Sequence, residues 1–330
     1  MKFVQLNSFG TPSASCSVVD GPALAEPGPG EMTVNIEAGP INPAELLLIQ
    51  GKYASKPPLP APLGIEGVGT VAAIGDGVTS VAVGDRVMSL GRANWAEQVQ
   101  GPEAAFVKVP GDVDVLQLGM LKVNPATAAL MLDRYVDLQP GDWVIQNAGN
   151  SAVGQYLVQI ARARGLHTVN IVRRAGLEDE LRALGADLVM VDGADLAERV
   201  RAEIGTANLP LAIDAVAGRG CLHVADCLSD EGTVVNYGLL SGEPCQITAD
   251  MAVFRGISLT GFWLPKLLGG MPRQEVETLY AGLASRIADG SMHAAVEACY
   301  GLDDIGAALD HAMQDGRHGK ILVTPDGMVG

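Results

Sequence analysis

Apolar and polar positions change their rhythm part-way along this chain. Up to about residue 122 the apolar positions fall in short runs of strand type, at 31–36, 67–74, 86–90 and 95–99, and Met1-Lys2-Phe3-Val4-Gln5-Leu6 starts a strand pattern at once. Turn signals separate the runs: Pro27-Gly28-Pro29-Gly30, Gly75-Asp76-Gly77 and Val83-Gly84-Asp85. No long helical period appears there, which predicts a compact, partly barrelled β domain.

From Asn124 onward strands alternate with helices. A strand over 143–147, a small-residue turn over 148–154, a helix over 155–164 and a strand over 167–172 form one βαβ unit, with Leu157, Val158, Ile160 and Ala161 at helical spacing. Helices are predicted next at 178–184, 194–204 and 221–228, and strands at 188–191, 211–216, 233–237 and 257–262. Such alternation implies a parallel, doubly wound sheet with right-handed crossovers and a ligand at the carboxyl ends of its strands. The tail predicts two amphipathic helices, 274–289 and 302–315, and a strand at 320–324 that rejoins the front of the chain. The fold class is therefore α/β: a doubly wound Rossmann domain over 123–265 and a discontinuous β-rich domain made of 1–122 and 266–330.

Composition narrows the class without naming a function. A chain of 330 residues, 48% hydrophobic and 18% charged, can bury a large core. A formal net charge of −16 argues against nucleic acid or an anionic membrane as partner. Five scattered cysteines (Cys16, Cys221, Cys227, Cys245, Cys299) with no C-x-x-C spacing read as reduced thiols, not as a disulfide framework or a structural zinc site. No apolar run approaches the ~20 residues of a membrane span. Because a strand pattern starts at Met1, leaving no room for a signal or transit peptide, the expected compartment is the cytoplasm.

The turn Ala148-Gly149-Asn150-Ser151-Ala152-Val153-Gly154 is the first chemical lead. It lies between a strand and a helix, where a dinucleotide pyrophosphate sits on the helix N-terminus. Only Gly149 and Gly154 are glycines, short of G-x-G-x-x-G, so the turn alone is equally an ordinary connection. The next strand ends in Arg173-Arg174. An NAD site places an acid there, whereas two arginines suit a 2′-phosphate, and NADPH is favoured over NADH; a solvated basic loop is the plain alternative. Asp214, at another strand end, is read as either a cofactor contact or a helix cap. Trp95 and Trp263 are candidate walls of an acyl pocket, with a core position as the alternative for each, while Met251 and Phe254 read as core. The five histidines show no triad or ligand spacing.

Several segments, taken in order along most of the chain, resemble the NADPH-dependent 2-enoyl thioester reductases of the medium-chain dehydrogenase/reductase superfamily, relatives of the quinone oxidoreductases. They are Ile41-Asn42-Pro43, Ile49-Gln50-Gly51-Lys52-Tyr53, Gly64-Ile65-Glu66-Gly67, Val123-Asn124-Pro125-Ala126-Thr127-Ala128, Gln139-Pro140-Gly141-Asp142, the stretch from Gln146 to Gly154, Gly261-Phe262-Trp263 and Gly319-Lys320-Ile321-Leu322. The resemblance implies a GroES-like catalytic domain beside the Rossmann domain, and a homodimer joined through the edge strand over 257–262. It implies that Tyr53 is the proton donor. It makes Asn124, Asn150, Ser151, Ala152, Val153, Gly154, Arg173 and Arg174 contacts to NADPH, with Tyr237, Gly238, Leu239, Leu240, Phe262 and Trp263 lining the cofactor and substrate cleft. Lys320 is implied to reach the cofactor, and Asn42, Trp95 and Trp263 to border the substrate. This chain departs from the family pattern at Ala175, where a third basic residue is common, and at Pro265, where a serine is common.

Zinc-dependent relatives need a cysteine near 40–42 and Gly-His-Glu later; here the first loop has none and the second reads Gly64-Ile65-Glu66, so no catalytic metal is expected. Without a Lewis acid, a double bond conjugated to a carbonyl is the easier acceptor. Hydride addition at Cβ leaves an enolate that needs donors at oxygen and a proton at Cα. The implied reaction is reduction of a trans-2-enoyl thioester, carried on CoA or acyl carrier protein, to the saturated thioester. A zinc-independent NADPH quinone or alkenal reductase is the alternative, and a nucleotide-binding protein without turnover is the third reading.

Overall fold

A computed structural model describes residues 1–325 and 327. They form two units, Met1–Val123 with Arg273–Gly330, and Asn124–Pro272.

The second unit is built on six parallel strands, numbered here within the unit: β1 (Trp143–Gln146), β2 (His167–Val172), β3 (Leu188–Val191), β4 (Leu211–Asp214), β5 (Thr233–Asn236) and β6 (Ser258–Gly261). Their spatial order is β3-β2-β1-β4-β5-β6. The chain enters at the middle, winds out to β3, then returns beside β1 and winds out to β6. Crossovers therefore reverse between β1 and β4, and their carboxyl ends diverge there, which opens the ligand position of a doubly wound sheet. Burial explains the apolar runs: Leu211, Ala212, Ile213 and Asp214 of β4 are all fully buried. Ile145, Val169, Ala212, Val224 and Val234 share one core cluster; Val158, Val172, Leu177 and Leu181 form a smaller one. The predicted strands end one or two residues early in β1, β4 and β5, and β6 loses a residue at each end.

In the first unit the ten-residue strand Glu31–Pro40 is the spine. It pairs antiparallel with Gly67–Ile74, with Gln98–Pro102 and, at its far end, with the returning strand Lys320–Val323. The last pairing sets Leu322 opposite Pro40 and Val323 opposite Gly39, so the tail does rejoin the front of the chain. One core gathers Val4, Leu6, Ile41, Ile49, Leu63, Trp95, Leu309 and Ile321; another gathers Met32, Val34, Ile36, Val87 and Phe106.

Beyond the shifts of strand ends, other expectations change. The run expected at 95–99 is a strand only from Gln98, because Trp95 bonds elsewhere: its N–H donates to Leu63 O and its carbonyl accepts from Val4 N. The helix Leu264–Gly270 stays with the second unit, so the break falls after Pro272 and not at 265. Phe254 is no core residue: it ends the short helix Ala249–Phe254 and is 83% exposed.

Candidate active site

The turn after β1 is shaped by close backbone contacts. Ala148 takes φ 49°, Gly149 N donates to Ile171 O of β2, and Ser151 N donates back to Ala148 O. A Cβ at Gly154 would lie 2.4 Å from Gly149 O, and one at Gly149 would lie 3.0 Å from Asn170 Cβ. Gly154 is there because backbone must pass backbone, and Gly149 because its open face lies against the Asn170 Cβ, the condition for packing a helix start onto strand ends. Gln146 fixes the two sides by donating to Gly154 O (3.0 Å) and to Asn170 Oδ1 (2.7 Å). The helix Ala152–Ala163 then begins with Ser151 as its cap, Oγ accepting from Gly154 N at 3.2 Å. Its first N–H groups point out of the carboxyl edge of the sheet, a ready anion site.

The neighbouring strand ends converge on Asp214, whose carboxylate is fully buried. Oδ1 accepts from Asn147 Nδ2 (2.6 Å), Val216 N (3.0 Å) and Ala217 N (3.0 Å). Oδ2 accepts from Asn236 Nδ2 (2.8 Å) and Ala217 N (3.2 Å). One side chain thus ties the ends of β1, β4 and β5. Asp214 caps no helix: Ala217 is the N-cap of the helix Gly218–Asp226, which has no side-chain cap, and the carboxylate instead holds the turn before it. Its partners Asn147 and Asn236 carry no sequence signal.

The other residues singled out in this unit also lie at strand ends. Arg173 and Arg174 follow β2 and are exposed. Tyr237, Gly238, Leu239 and Leu240 follow β5; Leu239 and Leu240 are exposed, and a Cβ at Gly238 would meet Ala215 O at 2.6 Å. Burial lifts the Tyr237 phenol above its ordinary range, against a hydrogen bond with Ser151 that lowers it. Phe262 (buried) and Trp263 (42% exposed) follow β6, and Asn124, buried, opens the helix Asn124–Arg134.

In the first unit Tyr53 follows the helix Pro43–Ile49. Asn42 and Glu45 close a capping box at the start of that helix. At its end Gly51 takes φ 70° with the space for a Cβ closed by Phe9, and Tyr53 N donates to Leu47 O. The Tyr53 ring is half-buried against the core that holds Trp95. Trp95 is fully buried there, its indole N–H on Pro40 O at 3.4 Å, so it is core and not an open pocket wall.

A buried charge cluster lies beside this loop, and the sequence reading missed most of it. Glu45 and Glu66 have no exposed surface, and Lys122 and Lys320 are 8% exposed. Asn42 Nδ2 donates to Glu66 Oε1 (2.6 Å), while Asn42 Oδ1 accepts from Lys320 Nζ (2.6 Å). Lys320 also donates to Ile41 O, and Lys122 donates to the carbonyls of Ile65, Leu90 and Gly91. Burial pushes both carboxyls up, Glu45 to about 6, and pushes both ammonium groups down; their mutual attraction opposes each shift. Lys320 and Asn42, expected at the cofactor and the substrate, thus spend ammonium and amide on this cluster, because two buried carboxylates need counter-charge. Gly64-Ile65-Glu66 and Pro40-Ile41-Asn42 supply Glu66 as their only metal-ligand type, and Glu66 is held by Asn42 and by Val123 N at 2.8 Å. That donor set does not fit a catalytic zinc.

A doubly wound nucleotide fold together with a β unit to which the chain returns defines a medium-chain dehydrogenase/reductase. Residues 28–121 match the alcohol dehydrogenase GroES-like domain, and residues 152–285 match the family described as zinc-binding dehydrogenase. The mitochondrial enoyl-(acyl-carrier-protein) reductase of Dictyostelium discoideum is 33% identical over 97% of this chain and 93% of its own length. The structure of Etr1p with NADP and crotonyl-CoA superposes with a TM-score of 0.86 at 28% identity, covering 98% of this chain and 99% of that one. A quinone oxidoreductase of Pseudomonas syringae pv. tomato gives 0.87 at 26%, covering 98% and 99%. Within that superfamily the chain belongs to the enoyl thioester reductase family.

Proposed function

We propose that this protein reduces the 2,3-double bond of a trans-2-enoyl thioester, on CoA or acyl carrier protein, to the saturated thioester at the expense of NADPH. The observation that carries the nucleotide half is the cradle at the carboxyl edge of the second unit, where the Gly149–Gly154 backbone contact excludes a Cβ at Gly154 and a helix capped by Ser151 begins. Dinucleotide pyrophosphate fits that chemistry, and Arg173 and Arg174, exposed at the next strand end, supply the counter-charge for a 2′-phosphate. NADPH, when bound, supplies hydride to Cβ of the substrate. The chain itself has three tasks. It holds the nucleotide through Asn124, Asn150 and the residues from Ser151 to Gly154, lines the acyl group with residues such as Trp263, and delivers a proton to Cα from Tyr53.

Tyr53 separates this reading from quinone reduction, which needs no carbon acid donor. Tyr53→Phe keeps the ring packing against the core and removes only the hydroxyl. We expect kcat on crotonyl-CoA to fall by about 100-fold or more, the scale of general acid catalysis, with NADPH affinity kept. Unchanged enoyl reduction in this variant would move the proton source elsewhere and favour quinones or alkenals as acceptors, a reading supported by the likeness to the Pseudomonas quinone oxidoreductase.

We further propose a homodimer. β6 is the outer strand of its sheet, and Val253 (71% exposed), Phe254 and Trp263 flank it in sequence. An unpaired edge with such neighbours is an aggregation hazard unless a second copy covers it.

A further inference from the structure

Beside the strand ends of the second unit, two thiols and a carboxylate meet. The ligand atoms of Asp214, Cys221 and Cys245 all lie within 4.8 Å of one another. Cys221 lies in the helix Gly218–Asp226 and is fully buried, whereas Cys245, half-buried, comes from the loop before Thr248. The loop is fastened to the helix start: Gly218 N donates to Pro244 O, and the Glu243 side chain fills the space above Gly218. From this juxtaposition we infer a binding site for one thiophilic divalent cation of the zinc or cadmium class, ligated by Cys221 Sγ, Cys245 Sγ and one oxygen of Asp214. This site is separate from the catalytic reading above and does not rest on it.

Four features support it. Two sulfurs with one oxygen match the donors that zinc takes in tetrahedral sites, and three protein ligands leave a fourth position for water. Sulfur donors select zinc or cadmium over magnesium or calcium, which prefer all-oxygen sites. The surroundings orient the ligands: Asn147, Asn236 and two backbone N–H groups hold Asp214, and Gln246 N–H faces Cys221. Cys245 provides the way in, on a loop whose residues Ser241, Gly242, Glu243 and Pro244 are exposed.

Burial and then the charge of Asp214 push Cys221 up to about 12, and the same two causes raise Cys245. The negative field that disfavours a second and third anion favours a dication. Binding then forms two metal–sulfur bonds, breaks two S–H bonds and releases two protons, with no change of oxidation state. Asp214 already accepts hydrogen bonds from Asn147, Asn236, Val216 N, Ala217 N and the Cys221 thiol, so the incoming ion exchanges with at least one of them. Its arrival is therefore felt at the ends of β1, β4 and β5.

Titration of the reduced, nucleotide-free protein with Cd²⁺ tests the site. The expected result is one ion per chain, a sulfur-to-cadmium charge-transfer absorption, and two protons released per ion. Cys245→Ser and, separately, Cys221→Ala should each weaken binding by about 100-fold or more, at or beyond the upper end seen when a metal's outer shell is altered. Cys16→Ser and Cys299→Ser should leave it unchanged. Thermal melting of each variant identifies any that fails to fold, and Cys245→Ser, at a half-buried loop position, keeps the test alive if Cys221→Ala does not. Absence of the absorption in the folded wild type overturns the proposal. So does an absorption that survives in both Cys221→Ala and Cys245→Ser.

Discussion

Inside the first unit, Glu45 holds its proton longer than a solvated glutamate because it has no exposed surface; its carboxyl titrates at about 6 against an ordinary 4.5. The sign follows from proton counts. Between those two values the folded protein carries more protons than the unfolded chain, so stability falls as pH rises from 4.5 through 6. The loss is about 2 kcal/mol, at 1.36 kcal/mol per unit. Glu45→Gln removes this slope, and denaturant unfolding of both proteins at pH 5 and pH 7 measures it. The wild type should lose stability relative to the variant on going from pH 5 to pH 7; equal pH dependence would mean that the carboxyl is solvated. This cluster also shows what could not be seen beforehand. Lys320 and Asn42 were visible as positions of interest, and Glu45 follows Asn42 by three residues as its capping-box partner. Glu66, Lys122 and Lys320, however, are brought to that pair from far along the chain. A buried salt cluster is assembled by topology. Trp95 shows the converse: its type suits a pocket wall and a core equally well, and burial alone decides.

The element that sets the proposed nucleotide site is the short turn between β1 and the helix Ala152–Ala163. Its strand, small residues and helical spacing were legible, since each is a local pattern of period 2 or 3.6. Also readable were the full span of β2 and β3 and the return of the strand Lys320–Val323. The run at 95–99 misled because its apolar residue Trp95 pairs outside the sheet ladder, and Phe254 misled because it sits on an exposed helix end. Gly154→Ala is the sharpest test at this scale. The new methyl would meet Gly149 O at 2.4 Å; that oxygen is backbone and a Cβ has its place fixed by the backbone, so neither can rotate away. Overpacking of this kind costs about 1–3 kcal/mol, and the adjustment displaces the Ser151 cap. We expect a lower melting temperature and weaker NADPH binding. A variant that melts and binds as the wild type does would show that the turn is looser than the backbone contact implies.

At the scale of the whole molecule, two units divide the chemistry proposed: nucleotide at the carboxyl edge of the second, proton donor on a loop of the first. The dimer belongs to this scale too. Sedimentation at micromolar concentration should give a dimer, and Phe254→Lys with Val253→Lys should shift it toward monomer; a monomeric wild type would contradict edge pairing at β6. No helix among the described residues is long and apolar enough to cross a membrane.

The central claim is that an enoyl thioester is the acceptor and NADPH the donor. Steady-state kcat/KM on crotonyl-CoA with NADPH, set beside the same substrate with NADH and a simple quinone with NADPH, tests it most directly. The first combination is expected to exceed both others, because Arg173 and Arg174 are proposed to supply charge for a 2′-phosphate and Tyr53 is proposed to serve only the carbon acid step. Equal use of NADH would contradict the role of the two arginines, and a quinone rate above the crotonyl-CoA rate would contradict the enoyl assignment itself.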